Sequence, residues 1–400
     1  ASATAIYGSK GANGVVLITT KRGKAGKVNI DAKVETSYNT LTKMPDFVDG
    51  LTYAKLMNEA LVTRNLGVAY QPEELELILK NGAWSYRANL NLSGGGNTAR
   101  YYVSAAYTED QGMYKTDQTL KDDYDTNANF KRWNYRMNVD MDITKTTLLK
   151  VGVAGSISLR NSPGLSDNNL WAMLFGYNPI ATPVYYSNGY APISHRDNVN
   201  KLNPWVASTQ TGYNENWTNN IQTNVSLEQD LSFITKGLKF TGRFGFDTDN
   251  STDIYHHRQP DLYHANGRNQ ATGEIIFDRM FSAYDMQQSS GGTGTRHEYL
   301  DLMLNWERAF GNHHGGVTFR YTQDSKKTTV NLGTDIKNSV AKRNQALAGR
   351  FTYNWNYRYF FDFNFGYNGS ENFAPGHQFG FFPAFSAAWN VAEEPFIKEA

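Results

Sequence analysis

The 400-residue chain contains no cysteine, which excludes a disulfide framework, a thiolate zinc site and a cysteine nucleophile. It also lacks an excess of either charge. With 39 basic and 38 acidic residues, we expect no general attraction to nucleic acid. A run of about 18 or more apolar residues is missing, and the mean hydropathy of -0.57 excludes a helical membrane protein. A membrane β-barrel remains open, because its alternating strands average to a hydrophilic score.

The residues that carry most catalytic chemistry show no converging pattern. Neither a His-Glu-x-x-His motif nor a Gly-x-Ser-x-Gly elbow occurs, and the adjacent pairs His256–His257 and His313–His314 are interpreted as solvated loop histidines. The carboxylate pairs Asp122–Asp123 and Glu393–Glu394 are interpreted as surface charge. We therefore predict no enzyme activity, no catalytic residue, no metal ligand and no cofactor.

The first glycines, Gly8, Gly11 and Gly14, precede a β-branched apolar run at 15–20. Phosphate-binding loops require a strand, then glycines, then a helix, and this order is reversed here. The pattern predicts a tight turn that leads into a buried strand.

A period of two residues dominates the chain from about residue 27. In "RWNYRMNVDMDI", apolar residues from Trp133 to Ile143 alternate with polar residues from Asn134 to Asp142. Similar segments predict roughly twelve strands of about 9 to 17 residues, long enough to cross a bilayer at a tilt.

The connections between these strands alternate in length. Short connections are predicted at 94–98, 144–146, 235–237, 311–315 and 356–358, and long ones at 41–86, 110–130, 160–215, 249–295, 325–342 and 369–379. Aromatic residues such as Trp133, Tyr135, Tyr353 and Trp355 lie near strand ends, as in an aromatic girdle. Together these features favour an outer-membrane barrel over the soluble sandwich that alternation alone also permits.

The first long connection has a helical pattern. Tyr53, Leu56, Met57, Ala60 and Leu61 recur at helical spacing, with Thr52 as the predicted cap. A second helix is predicted within "QPEELELILKNG", from Pro72 near its start to Gly82 past its end.

The segment "SATAIYGSKGANGVVLITTKRGKAG" closely resembles the end of the plug domain in SusC-like (RagA-like) TonB-dependent outer-membrane transporters of Bacteroidetes. The block "RNQALAGRFTYNWNYRYFFDFNFGYNGSENFAPGHQFGFFPAFSAAWNVAEEPF" resembles a mid-barrel segment of the same family. Shorter matches such as "LTYAKLMNEA" and "RWNYRMNVDMDIT" extend the resemblance over most of the chain.

The resemblance implies an all-β fold: a transmembrane antiparallel β-barrel, 22-stranded in the family, of which about twelve strands are present, with the C-terminal end of a plug. It implies that residues 1–26 are plug end and linker and that 27–400 are the N-terminal part of the barrel. We then expect a fragment whose first and last strands, near 28–38 and 381–391, have unpaired edges.

The family also implies a function and partners. We expect TonB-dependent import of an oligosaccharide or peptide across the outer membrane, together with a SusD-like surface lipoprotein, outer-membrane lipid and the TonB complex, and no nucleic acid. A siderophore or cobalamin receptor is the alternative within transport. A secreted β-rich adhesin or carbohydrate-binding module is the alternative from another class.

The long connection at 160–215 carries the predicted substrate-binding residues. Aromatic faces stack on sugar rings, and neighbouring amides and carboxylates bond to hydroxyl groups, so its composition suits an oligosaccharide. Packing against other loops or a partner is the competing interpretation. The predicted binding residues are Trp171, Phe175, Tyr177, Tyr185 and Trp205.

Overall fold

The computed structural model describes residues 19–43, 49–63, 78–120, 123–177, 182–194 and 202–398. Most of them form one sheet, the wall sheet. Its strands are β1 (Gly26–Thr40), β2 (Gly82–Gly95), β3 (Ala99–Asp110), β4 (Phe130–Asp142), β5 (Thr147–Pro163), β7 (Gly212–Asp230), β8 (Leu238–Gln259), β11 (Tyr284–Phe310), β12 (His313–Val330), β13 (Lys342–Trp355), β14 (Tyr359–Ser370) and β15 (Phe379–Trp389). A second sheet contains β6 (Ala191–Pro192), β9 (Leu262–Arg268) and β10 (Ile275–Phe281).

The wall sheet is an antiparallel meander of 12 strands in the order β1-β2-β3-β4-β5-β7-β8-β11-β12-β13-β14-β15. Each strand pairs with the wall strand that precedes it in sequence, so the predicted strand number is confirmed. The sheet edges are β1 and β15, which within the described ranges pair only with β2 and β14 respectively. The expected unpaired edges therefore lie at these two strands.

Several strands are longer than expected. β8 has 22 residues and β11 has 27, against a predicted maximum of about 17. The bounds of the long loop predicted at 249–295 were therefore wrong, because the pairing of β8 with β11 continues from Trp306–Leu238 up to Tyr284–Gln259 and leaves 260–283 as the connection. The additional strand residues are mostly polar on both faces, so the sequence shows no alternation there.

The two ends of the wall sheet differ, as the alternating connections predict. Short connections such as 96–98, 311–312 and 356–358 define the turn end. In the last of these, Asn356 and Tyr357 adopt φ of 51° and 55°, the left-handed pair at the centre of a type I′ turn, and the Arg358 amide donates to Trp355 O. The longer connections define the loop end, which carries β6, β9 and β10 and most of the helices.

The two faces of the wall sheet differ in chemistry throughout. Register across β3, β4 and β5 aligns Tyr102, Asn138 and Gly152 on one face, the polar face, and Val103, Met137 and Val153 on the other, the apolar face. On β4 the apolar series runs from Trp133, 40% exposed, to Ile143, 57% exposed. This ten-residue span is about 33 Å long along the strand. At the strand tilt of membrane barrels it corresponds to a height of about 25 Å along the barrel axis.

On the apolar face, Trp and Tyr side chains lie near both ends of the strands, while Phe side chains such as Phe351 and Phe363 also occupy the middle of β13 and β14. Trp84, Tyr107 and Trp133 lie near the loop end, where the rings of Tyr107 and Trp133 are 5.4 Å apart. Near the turn end, Trp355, Tyr359 and Trp389 form a stacked series with centroid separations of 5.8 and 6.4 Å. The predicted girdle residues thus form two belts, one at each end of the strands.

The helices are short and lie outside the wall sheet. They are α1 (Gly50–Thr63), α2 (Asp167–Gly176), α3 (Pro204–Thr209) and α4 (Pro395–Lys398), with one-turn 3-10 helices at Ile336–Ser339 and Val391–Glu393. None of the helices in the described ranges has the length and apolar character needed to cross a bilayer.

Two details of the predicted helices were wrong. Asp49, not Thr52, caps α1, since its carboxylate accepts bonds from the Thr52 amide at 2.8 Å and hydroxyl at 2.7 Å, which lower the pKa of Asp49. Residues 71–77 of the second predicted helix lie outside the described residues, but 78–82 are not helical. The Lys80 amide donates to Met113 O and the Lys115 amide to Ile78 O, so pairing between segments replaces helical bonds.

The turn glycines Gly8, Gly11 and Gly14 and residues 15–18 of the predicted plug strand lie outside the described residues. Thr19 is the first described residue, and it lies just before the segment that contacts the polar face.

Candidate functional site

The long loops fold into one structure with its own core, which we call the loop body. Its described residues are 78–81, 113–120, 123–129, 164–177, 182–194, 202–211 and the β9–β10 hairpin. Its buried core residues are Ile78, Tyr114, Leu170, Leu174, Ala191, Ile193, Leu202, Val206, Ala207 and Leu262. Ile78, Leu170, Val206 and Leu262 are all completely buried. The loop end is therefore a packed structure and not a set of independent loops.

Local sequence explains why α2 and α3 form within the loop body. Ser166 caps α2 by accepting a bond from the Asn169 amide, and Leu170 and Leu174 place one face of the helix in the core. In α3, Pro204 occupies the first turn. Asn203 caps α3 through the Trp205 amide at 2.9 Å and also donates to Pro183 O at 2.9 Å.

A buried carboxylate joins two of the long loops. Asp117, 8% exposed, accepts bonds from the Tyr185 hydroxyl at 2.6 Å, the Thr119 amide at 2.9 Å and the Gln210 amide at 3.3 Å. The Trp205 indole donates to the Tyr185 hydroxyl. Burial opposes ionisation of Asp117, but these donors outweigh it and lower its pKa, whereas burial and Asp117 raise the pKa of Tyr185.

The predicted binding residues divide into two groups. Trp171 and Phe175 occupy one side of α2 with ring centroids 5.8 Å apart, and Phe175 is 62% exposed. Tyr177, Tyr185 and Trp205 instead take part in hydrogen bonds inside the loop body, and Trp205 is only 8% exposed. The structure therefore brings Tyr185 and Trp205 together. Of the five predicted residues only Phe175 is largely exposed, and Trp171 beside it also packs partly against the loop-body core.

The sequence did not indicate a second aromatic cluster in the loop body. Tyr190 stacks on Tyr263 at 4.0 Å, and both Tyr186 and Tyr190 contact the ring of Phe277. The Tyr186 hydroxyl also accepts a bond from the Ala265 amide at 3.1 Å. These residues are far apart in sequence and meet only because β9 pairs with β6.

Three interpretations of titratable residues were wrong. His256 and His257 lie within β8, not in a loop, and the His256 ring stacks on Tyr213 at 4.3 Å. His313 and His314 belong to β12, and His313 Nδ1 lies 2.6 Å from the Tyr353 hydroxyl. Glu394 is 7% exposed and not surface charge, because it accepts bonds from the Tyr359 hydroxyl at 2.7 Å and the Trp389 indole at 3.0 Å. Those donors lower the pKa of Glu394. The network fastens the segment after β15 to the turn end.

The described part of the chain holds no group of three or more His, Asp or Glu side chains placed to bind a metal ion. The polar face instead carries a series of ion pairs nearer the turn end, the ion-pair belt. Its pairs are Arg22–Asp140, Arg100–Asp142, Lys150–Glu228, Arg243–Asp301, Arg320–Asp301 and Arg350–Asp362. Asp301 is the most buried member, with a side chain 2% exposed.

The chain is similar in sequence to known proteins. The chain aligns over its whole length with TonB-dependent receptor P3 of Formosa agariphila, at 26% identity over 434 residues that cover 39% of that protein. It aligns likewise with the TonB-dependent receptor SusC of Bacteroides thetaiotaomicron, at 24% identity and 40% coverage of that protein. The chain is a relative of the TonB-dependent receptors. No protein-family model matches it.

Solved structures are similar to this chain in fold. The RagAB peptide importer in its 'open-open' state superposes with a TM-score of 0.66 at 16% identity, covering 100% of this chain and 48% of that one. The 'closed-closed' state gives 0.63 at 15% identity, with 99% and 48% coverage. The chain thus spans about two fifths of its curated relatives and about half of the superposed chain.

The resemblance seen in the sequence is confirmed, as are the antiparallel β-barrel fold class and the outer membrane as location. In such a barrel the apolar face contacts lipid and the polar face lines the interior. The relatives named above are, by name, receptors and a peptide importer.

Proposed function

We propose that the protein containing this chain imports a nutrient, an oligosaccharide or a peptide, across the outer membrane with energy from the TonB complex. The similarity of the whole chain to TonB-dependent receptors, SusC among them, carries this proposal. In this scheme residues 1–26 end the plug, residues 27–400 form the first part of the barrel, and a SusD-like lipoprotein covers the loop end.

The polar face supports an uncharged or cationic substrate. On the loop half of β8 it presents Asp247, Asp249 and Asp253. Asp249 accepts a bond from Asn220 at 3.0 Å and Asp253 from Asn216 at 2.6 Å, so amides and carboxylates line this part of the wall. Such a surface suits hydroxyl-rich sugars or peptides and disfavours an anionic siderophore by charge repulsion.

Within the loop body, Trp171 and Phe175 are the residues we propose for substrate contact. Their partly exposed rings lie side by side on α2 and offer an aromatic surface for a sugar or an apolar side chain. We propose that Tyr177, Tyr185 and Trp205 act indirectly, by holding the loops in the conformation that presents α2.

Growth of a deletion strain on a panel of oligosaccharides and peptides tests the proposed import. We expect a growth defect on one class of nutrient, restored by the intact gene. Normal growth on every compound, with the protein confirmed in the outer membrane of the parent strain, would contradict nutrient import.

Paired substitutions test the proposed contact residues. The double variant Trp171→Ala/Phe175→Ala is expected to slow uptake several-fold. The matched control is Trp84→Ala/Tyr86→Ala, which removes a similar pair of rings, 6.4 Å apart, from the apolar face. Equal uptake by both double variants would contradict a role for α2 in binding.

A further inference from the structure

Residues 20–23 cross the polar face of β3 and β4 in close contact with the wall. The Asn138 side-chain amide donates to Lys21 O at 2.6 Å and to the Thr20 hydroxyl at 3.3 Å. Two residues along the same strand, Asp140 pairs with Arg22. Backbone and side chain of this short segment are therefore both bound by neighbouring side chains of one wall strand.

The next residue shows how closely the segment approaches the wall. A Cβ atom at Gly23 would overlap the backbone nitrogen, carbon and oxygen of Tyr101 in β3. Only glycine permits this separation, since any side chain would push the segment away from the sheet. The contact is thus a backbone-to-backbone fit and not a chance approach of long side chains.

The side chains that receive the segment are buried. Asn138 is 4% exposed and Asp140 is 8% exposed, so the polar contacts of residues 20–23 are made with groups that have little access to water. Charge-assisted hydrogen bonds such as that of Arg22 with Asp140 are among the stronger polar contacts, and partial burial reduces their screening. Asp142, the next acidic residue on this face, pairs with Arg100 of the wall and not with residues 20–23.

We propose that residues 20–23 are a fixed anchor on the barrel wall, so that any movement of the plug during transport begins on the N-terminal side of Thr20. Asn138, Asp140 and the Tyr101 backbone form the receiving surface. The anchor keeps the end of the plug in place as the preceding residues move. The inference rests on the proposed assignment of residues 1–26 to the plug end and linker.

Distance measurements between spin labels test the anchor in the full protein in outer membranes. Because this chain lacks cysteine, Lys21→Cys and Lys145→Cys introduce labels at two exposed positions, one within the anchor, where only the backbone of residue 21 contacts Asn138, and one in the β4–β5 turn. Cysteines in the flanking sequence, where present, are replaced. We expect one narrow distance distribution at rest, unchanged when TonB energy and the growth-supporting nutrient are supplied.

Variants then separate the anchor from general stability. Asn138→Ala/Asp140→Asn and, independently, Gly23→Ala are expected to shift and widen the distribution. The matched control Asp142→Asn removes an ion pair from the same strand and face without touching residues 20–23, and we expect it to leave the distribution narrow. Heat-modifiable gel mobility confirms that each barrel is folded.

Three results would overturn the anchor: a broad or double-peaked distribution in the unsubstituted protein, a shift on energisation, or no change in both anchor variants. The resting measurement needs neither nutrient nor TonB. Loss of nutrient import with a narrow resting distribution would therefore refute the proposed function alone, whereas a broad resting distribution would refute the anchor alone.

Discussion

The wall sheet and the loop body are stabilised in different ways. The wall sheet has no dry core: one face is apolar and exposed, the other is polar, and continuous hydrogen-bond ladders and the ion-pair belt hold the strands together. The loop body has a conventional core of buried aliphatic residues, with capped helices around it. The comparison shows that burial of apolar side chains organises the loops, while the wall depends on backbone pairing and on lipid at its apolar face.

The largest effect is expected in the ion-pair belt. Asp301→Ala removes the carboxylate that contacts Arg320 at 2.9 Å and Arg243 at 3.0 Å, and so takes the anionic partner from the buried Arg320 guanidinium. Breaking a buried pair in this way costs about 3 to 5 kcal/mol of unfolding free energy. Urea unfolding of the barrel in lipid vesicles measures the change. The control Glu298→Gln, which loses an exposed pair with Arg296, should change stability by less than about 1 kcal/mol. Equal losses would contradict a stabilising belt.

A core substitution in the loop body should act on the loops alone. Leu170→Ala leaves a cavity where the side chain is completely buried, at a cost of about 2 to 5 kcal/mol to local stability. Hydrogen exchange should accelerate in α2 and α3, while the wall strands keep their protection. Leu56→Ala, at a position 53% exposed in α1, is the control and should change neither region. Loss of protection across the wall strands would show that the two regions unfold as one.

The faces of the wall can be separated with adjacent residues of β7. Ile221 belongs to the apolar face and Gln222 to the polar face. Ile221→Arg places a charge against lipid and should reduce stability by about 2 to 4 kcal/mol. Gln222→Arg faces the wide interior, and its effect should be smaller. Urea unfolding in vesicles measures both variants, and a reversed order would contradict the assignment of the faces.

The smallest effect concerns pH and the loop body. The pKa of Asp117 is lowered in the folded protein, so its contribution is complete above the pKa of the unfolded carboxyl, about 3.9, and is lost as pH falls through the folded value. Hydrogen exchange in 111–120 and 123–129 should accelerate in that acidic range, while exchange in the wall sheet changes less. Asp117→Asn should remove this pH dependence. An unchanged pH profile in that variant would show that other carboxyls are responsible.

The wall sheet was predictable because alternation is a local property of a strand. "RWNYRMNVDMDI" reveals both faces of β4 without knowledge of its neighbours, since successive side chains point to opposite sides. The same rule was insufficient at β8 and β11, where the apolar series gives way to polar residues on both faces. Strand pairing, which a single sequence does not display, extends those ladders.

Composition also identified the aromatic loop between β5 and β7 as a candidate site, but not the role of each ring. Phe175 and Trp205 have the same kind of side chain in the same loop, yet one is 62% and the other 8% exposed. Their difference arises from α3, which is buried against the loop-body core, and from the Asp117–Tyr185 contact between loops.

Residue type and short-range period were enough to predict the class of the chain, most of its strands, its two faces and its alternating connections. They were not enough to predict that Ile78, Leu170 and Leu262 share a core, that Glu394 is buried, or that Arg22 pairs with Asp140. In each of these contacts, no sequence pattern relates the positions of the residues that meet. They depend on which segments the paired strands bring to the same end or the same face.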